Sequence, residues 1–189
     1  IVALDAMFFE DHADLNQTVQ GPHNLSEHTF AKRGILPLGT PVQSKHSPLL
    51  VYRWAETDAA LNALLELHGG PMASIEFVNP TNGKPAMPTM GSEMHRIVPG
   101  SHTRPYRKVG SSIFVVFQGS GYSVINGQRF DWSRGDMFVT PSWASTEHCA
   151  TETADLFAVT DKPIMQSLEL FREQYLAEPQ QITAYFQAK

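Results

Sequence analysis

Asn126 and Gly127 stand between two runs of alternating polarity, Tyr122-Ser123-Val124-Ile125 and the stretch that begins at Gln128. A type I′ turn needs positive φ at both central residues, and Asn-Gly is the pair that accepts it most readily, so the dipeptide predicts a β-hairpin. Period-two runs recur at Ile75-Glu76-Phe77-Val78, Ile113-Phe114-Val115-Val116-Phe117 and Asp136-Met137-Phe138-Val139-Thr140. Strand signals of this kind, about eight to twelve residues apart between Ile75 and Val159 and punctuated by Gly119, Gly121, Gly135 and Pro141, predict an antiparallel barrel or jelly roll.

The flanks have a different period. Asp11 to Leu50 is rich in His, Pro, Gly, Asn and Ser and reads as an arm of loops. Thr57-Asp58 offers an N-cap before Ala60, Leu61, Leu64, Leu65 and His68, with Gly69-Gly70 as the stop, which predicts one amphipathic helix. After Pro163, helical spacing returns at Met165, Leu168, Phe171, Arg172 and Tyr175, predicting a terminal helix before a frayed tail from Glu178. The expected division is an arm over 1–73, a barrel over 74–161, a helix over 162–177 and a tail over 178–189.

Composition excludes several classes. With 189 residues and 42% hydrophobic content, the chain can bury a core without disulfides or metal. A formal charge of -5 and no long Lys/Arg run argue against a nucleic-acid partner. No apolar run suggests a membrane span, and the single cysteine, Cys149, cannot close an intrachain disulfide, so the expected compartment is the cytoplasm. The chain opens on Ile1-Val2-Ala3-Leu4 without an initiator methionine, and the expectation is that sequence is missing upstream.

Two longer patterns resemble a known family. The cupin frame is a glycine, five residues, His-x-His, a glutamate and a second glycine, followed by a Pro-x-Gly segment and a third histidine. Here Gly100, Gly119, Gly135 and Pro141 keep the spacing, but the ligand positions fall on Tyr106, Lys108, Ser112 and Thr146, and Trp143 replaces the later glycine. The string from Phe77-Val78-Asn79-Pro80-Thr81-Asn82-Gly83 to Lys84-Pro85-Ala86-Met87-Pro88-Thr89-Met90 resembles the linker before the second cupin of gentisate 1,2-dioxygenases and of their salicylate and 1-hydroxy-2-naphthoate relatives. Gly119-Ser120-Gly121, Phe130-Asp131-Trp132, Ser47-Pro48-Leu49-Leu50 and the run from Gly135 to Trp143 are similar to the same family.

That resemblance, over roughly Leu4 to Arg172, implies a mainly β cupin with an N-terminal arm and a C-terminal helix. It implies a parent enzyme of extradiol type that opens the ring of a hydroxylated aromatic acid with Fe(II) and O₂. The iron is then held by three histidines of a first cupin absent from this sequence, which makes that barrel the expected partner and a homo-oligomer the expected assembly. No catalytic or metal-binding residue is expected in the present half. The residue chemistry agrees: a protonated Lys108 about 4 Å from a divalent ion is repelled by roughly 8 kcal/mol at an effective dielectric near 20. Discharging that lysine at pH 7 costs about 4.6 kcal/mol before coordination begins.

Other readings of the same residues remain open at this point. His102, Arg104, Arg107 and Lys108 form a basic cluster that, with His148, suits a small carboxylate and so a regulatory binding cupin. Their plainer reading is a solvated rim paired with acids such as Glu147 or Glu152. His95, His102 and His148 are the candidates for a rebuilt metal site in an autonomous metalloenzyme; the plain reading puts His95 on a strand, His102 in a turn and His148 at the barrel mouth. Trp54, Trp132 and Trp143 read as core. Cys149 follows His148 directly, so the two side chains point to opposite faces of a strand and are not expected to form a catalytic pair.

Overall fold

The computed structural model describes residues 23–32, 34–40 and 46–187. The expected loop arm and the upstream boundary therefore lie partly outside the described residues. Within them, a short helix α1 (Leu25–Phe30) precedes α2 (Trp54–His68). The second helix starts earlier than its Thr57-Asp58 signal, because Trp54 extends the apolar stripe of Leu61, Leu64 and Leu65 that packs on Ala73 and Met94. It ends where expected, at Gly69 with φ 63.

Two sheets form the barrel. Strands β1 (Met72–Glu76), β2 (Gly91–Ile97), β4 (Ser112–Gln118), β7 (Met137–Thr140) and β9 (Ala154–Thr160) make the first, in the order β1-β2-β9-β4-β7. The second comprises β3 (Tyr106–Lys108), β5 (Ser120–Ile125), β6 (Gln128–Ser133), β8 (Thr146–Ala150), β10 (Glu173–Tyr175) and β11 (Ala184–Tyr185), in the order β10-β3-β8-β5-β6-β11. Neighbours are antiparallel except β11, which adds to β6 in parallel. The β5–β6 hairpin turns at Asn126 (φ 49) and Gly127 (φ 79), with Ile125 opposite Gln128, as the dipeptide predicts.

Alternation along these strands builds the core. Ile97, Phe114, Val116, Trp132, Leu156 and Ala158 face one another between the sheets, with Phe138 stacked on Phe114 at 5.1 Å. On the outside of the first sheet, α2 covers Met94 and is clasped by Arg96. This buried guanidinium donates to both oxygens of Asp155 at 2.7 and 2.8 Å and to Asn62 Oδ1 at 2.7 Å, and it reaches Asp58 at 2.8 Å. The Asn79–Pro85 segment folds as a self-capped turn: Asn79 Oδ1 accepts from the Thr81 amide and hydroxyl, and Val78 bridges Pro85.

The C-terminal segment differs from its expectation. Helix α3 runs only over Lys162–Ser167; Glu169 then takes φ 60, and Glu173–Tyr175 extend as β10 beside β3. The helical spacing of Leu168, Phe171 and Tyr175 is overridden because β3 offers an open edge that a strand satisfies and a helix does not. Nor are the described residues after Glu178 frayed, since Gln180 Nε2 donates to Val124 O at 2.8 Å and Ala184–Tyr185 pair with β6. Of the tryptophans, Trp132 is core and Trp54, the first residue of α2, packs against the Leu61, Ala73 and Met94 cluster, but Trp143 is 39% exposed on the outer surface.

Candidate functional site

Strand parity decides what faces the barrel interior. On β3, Tyr106 and Lys108 point inward and Arg107 outward; on β2, Glu93 and His95 share the inward parity with Ile97; on β8 it belongs to Thr146, His148 and Ala150. Of these, Glu93, His95, Tyr106, Lys108 and His148, with Phe114 of β4 and Lys162 of α3, line a cavity of about 400 Å³.

Glu93 is the centre of its charge pattern. Its Oε2 lies 3.3 Å from His95 Nε2 and 3.8 Å from Lys108 Nζ, and its Oε1 lies 3.8 Å from Lys162 Nζ. Burial works to raise the Glu93 pKa, but the contact with His95 and the two ammonium charges overcome it and hold the group at about 2. Tyr106 is pushed the other way, above the ordinary phenol value, by burial and then by the Glu93 charge, so it stays a neutral hydroxyl.

His148 is 2% exposed and lies inside the barrel wall, not at its mouth, because the parity of β8 turns it inward and Cys149 outward. Its Nδ1 is 2.7 Å from Ser123 Oγ, and that oxygen accepts from Trp132 Nε1 at 2.9 Å. Burial, followed by the nearby His95 and Lys108, lowers its pKa to about 3, so it is a neutral imidazole under ordinary conditions. Phe114 separates it from His95, with ring centroids at 5.2 and 5.9 Å.

The remaining candidates are dispersed. Arg107 is on the outer face, donating to Gln174 Oε1 at 2.6 and 2.9 Å and lying over Trp143. Arg104 borders the cavity but donates to Leu176 O and rests on Tyr175. Of the carboxylate-binding set, the structure therefore brings Lys108 and His148 together inside, leaves Arg104 at the rim and turns Arg107 away. Glu147 and Glu152 pair with neither arginine; Glu147 accepts from the Gln180 amide and Glu152 from the Ser120 hydroxyl. His102 is outside the barrel, where its Nε2 is 3.3 Å from Cys149 Sγ and 3.4 Å from Tyr122 OH. Burial, then Cys149, raises the Tyr122 pKa to about 12. His95, His102 and His148 accordingly do not converge.

The interior does not suit a catalytic iron. Of the cupin ligand positions, Tyr106 is a neutral phenol and Lys108 is tied to Glu93, while Ser112 Oγ is buried without a hydrogen bond and Thr146 Oγ1 donates to Ala144 O at 3.3 Å. Among the described residues no three His, Cys, Asp or Glu side chains are grouped to hold a metal ion. A facial iron site needs three such donors converging. Glu93, Lys162 and Ser123 were missed at the level of sequence, although the acid and histidine at alternate positions of one strand, Glu93-x-His95, were a visible signal of an inward polar pair.

The geometry has clear relatives. No family model matches the chain. Gentisate 1,2-dioxygenase of Streptomyces sp is 40% identical over 178 residues, covering 89% of this chain and 49% of the relative. 5-Aminosalicylate 1,2-dioxygenase of Comamonas sp is 35% identical over 148 residues, 76% of this chain and 40% of the relative. The solved salicylate 1,2-dioxygenase of Pseudoaminobacter salicylatoxidans with gentisate superposes at a TM-score of 0.76 with 39% identity, over 82% of this chain and 44% of that one. The chain thus spans about half the length of the relatives it matches. With the two-sheet barrel, the cupin spacing and these identities in agreement, the chain belongs to the gentisate 1,2-dioxygenase family of cupins.

Proposed function

We propose that this chain is the carboxyl-terminal barrel of a two-barrel enzyme that opens the ring of a hydroxylated aromatic acid, gentisate foremost, with Fe(II) and O₂ in extradiol fashion. In this reading the iron belongs to the first barrel, and the present barrel is a metal-free scaffold for it within a cytoplasmic homo-oligomer. The carrying observation is the position of Lys108: where a cupin presents a metal ligand, this barrel places an ammonium 3.8 Å from Glu93 Oε2. That cation already neutralises the interior carboxylate, and a divalent ion beside it is repelled.

The outer surface supports the scaffold role. Ile113, Phe117, Met137 and Val139 are 48%, 42%, 72% and 53% exposed on one face of the first sheet, and β7 is an edge strand. An apolar face of this kind beside an unpaired edge suits coverage by another barrel. Two preparations test the proposal: the chain alone and the chain co-expressed with the upstream barrel of a relative, both loaded anaerobically with Fe(II). The expected result is substoichiometric iron and no gentisate turnover for the chain alone, with both appearing in the complex. Stoichiometric iron with turnover by the chain alone overturns it.

A further inference from the structure

We propose that the interior of this barrel is a binding pocket for a small carboxylate, whose oxygens are taken by Lys108, Lys162 and Tyr106. The reasoning concerns this chain's own residues and holds whether or not an upstream barrel performs ring cleavage.

The pocket has more hydrogen-bond donors than the protein uses. The two ammonium groups carry six N–H bonds between them. Each reaches Glu93 only at 3.8 Å, beyond hydrogen-bond length, and neither donates to any other described residue. Lys108 has a side chain only 12% exposed, so bulk water does not solvate it freely. Tyr106 lines the same cavity, is held as a neutral hydroxyl, and makes no hydrogen bond among the described residues.

A fourth donor follows from proton accounting at His148. Ser123 Oγ accepts from Trp132 Nε1, and its own hydrogen has no acceptor among the described residues other than His148 Nδ1. Neutral His148 then carries its proton on Nε2, in a ring that lines the cavity. These N–H and O–H groups line one cavity and meet no acceptor among the described residues at hydrogen-bond length, which suits an oxygen-bearing ligand there.

Charge and shape narrow the class. The whole lining balances, with Arg104, Lys108 and Lys162 against Glu76, Glu93 and Glu173, but two ammonium groups lie within 3.8 Å of the one Glu93 carboxylate, so the positive excess is local to the unused donors beside Glu93. Met72, Ile75, Phe114 and Phe171 supply apolar walls. A volume of about 400 Å³ admits a ligand the size of benzoate and falls in the ordinary range of small-molecule pockets. One carboxylate bound by two ammonium groups and a phenol, with its body on the apolar wall, fits every one of these features.

Isothermal titration of the full chain with benzoate, and with benzamide as the uncharged isostere, tests the pocket. Saturable heat is expected with benzoate and not with benzamide, and affinity should fall as ionic strength rises. Lys108→Met and Lys162→Met should each weaken benzoate by roughly tenfold or more, the scale of a charge-assisted hydrogen bond. Tyr106→Phe keeps the shape and charge and should weaken it less. Since Lys162 sits on the short α3 at 25% exposure, its loss leaves the barrel core intact, and a thermal melt of each variant confirms that it folds. Absence of saturable benzoate heat, equal binding of benzamide, or undiminished binding by a folded Lys162→Met variant overturns the proposal.

Discussion

The Arg107 guanidinium lies 4.7 Å from the centroid of the Trp143 ring, and Trp143 holds a left-handed backbone at φ 64. The cupin frame has glycine at this position, and the structure supplies the reason: the chain reverses there while the Trp143 amide donates to Lys108 O at 2.7 Å. A bulky residue in the left-handed region costs about 1–2 kcal/mol, and the exposed stacking with Arg107 returns about 0.5–1 kcal/mol.

Trp143→Gly is therefore expected to stabilise the chain by up to about 1 kcal/mol, because the backbone strain outweighs an exposed cation–π contact. Trp143→Ala keeps the strain and loses the ring, and should destabilise. Urea unfolding of both variants checks the sign of each change.

A larger loss is expected at the Arg96 clasp. Asp155 is fully buried and accepts both of its guanidinium bonds. Asp155→Ala leaves a buried cation with only the Asp58 and Asn62 contacts on the α2 side, and should cost about 3–5 kcal/mol. Asp58→Ala, at the exposed end of the same cluster, should cost about 1 kcal/mol or less. Denaturant midpoints of the two variants give the comparison.

Acid should weaken the fold in two overlapping windows. His148 binds a proton near pH 6.5 when unfolded and only near pH 3 when folded, so between these values the unfolded chain holds more protons and stability falls as pH drops. Glu93, near 4.5 unfolded and about 2 folded, adds a loss of the same sign lower down. Between pH 6.5 and 4.5 the His148 contribution is on the order of 3 kcal/mol. Unfolding free energies measured across that range should slope upward with pH, and the slope should flatten in His148→Asn.

Gly121 is closed to substitution by close approach alone. A Cβ there would stand 2.2 Å from Cys149 O and 2.6 Å from the Trp132 ring, so Gly121→Ala must part β5 from β8 or displace a core tryptophan. Loss of cooperative unfolding, or failure to accumulate as folded protein, is the expected outcome by circular dichroism. Gly135→Ala, where no atom lies within 4 Å, keeps the fold and pays only for its positive φ.

Where the signal was local, the sequence was readable. Asn126-Gly127 specifies its turn through its own backbone preferences, and the period-two runs specify strands because one face of each is apolar. The C-terminal segment was not readable in this way: Leu168, Phe171 and Tyr175 carry helical spacing, and only the free edge of β3, some sixty-five residues earlier, makes Glu173–Tyr175 a strand. The site divides along the same line. Tyr106 and Lys108 could be placed by the cupin spacing, whereas Lys162 and Ser123 join the interior through tertiary packing that no local pattern announces.

The central place of β9 also has a consequence in time. It lies between β2 and β4, with Met94 opposite Phe157 and Phe114 opposite Ala158, so neither partner has its inner neighbour until residues 154–160 exist. Pairings this distant along the chain are slow to form. During synthesis β2 must therefore wait while some sixty residues are added, and a chain truncated before Ala154 is left with two unjoined halves of a sheet.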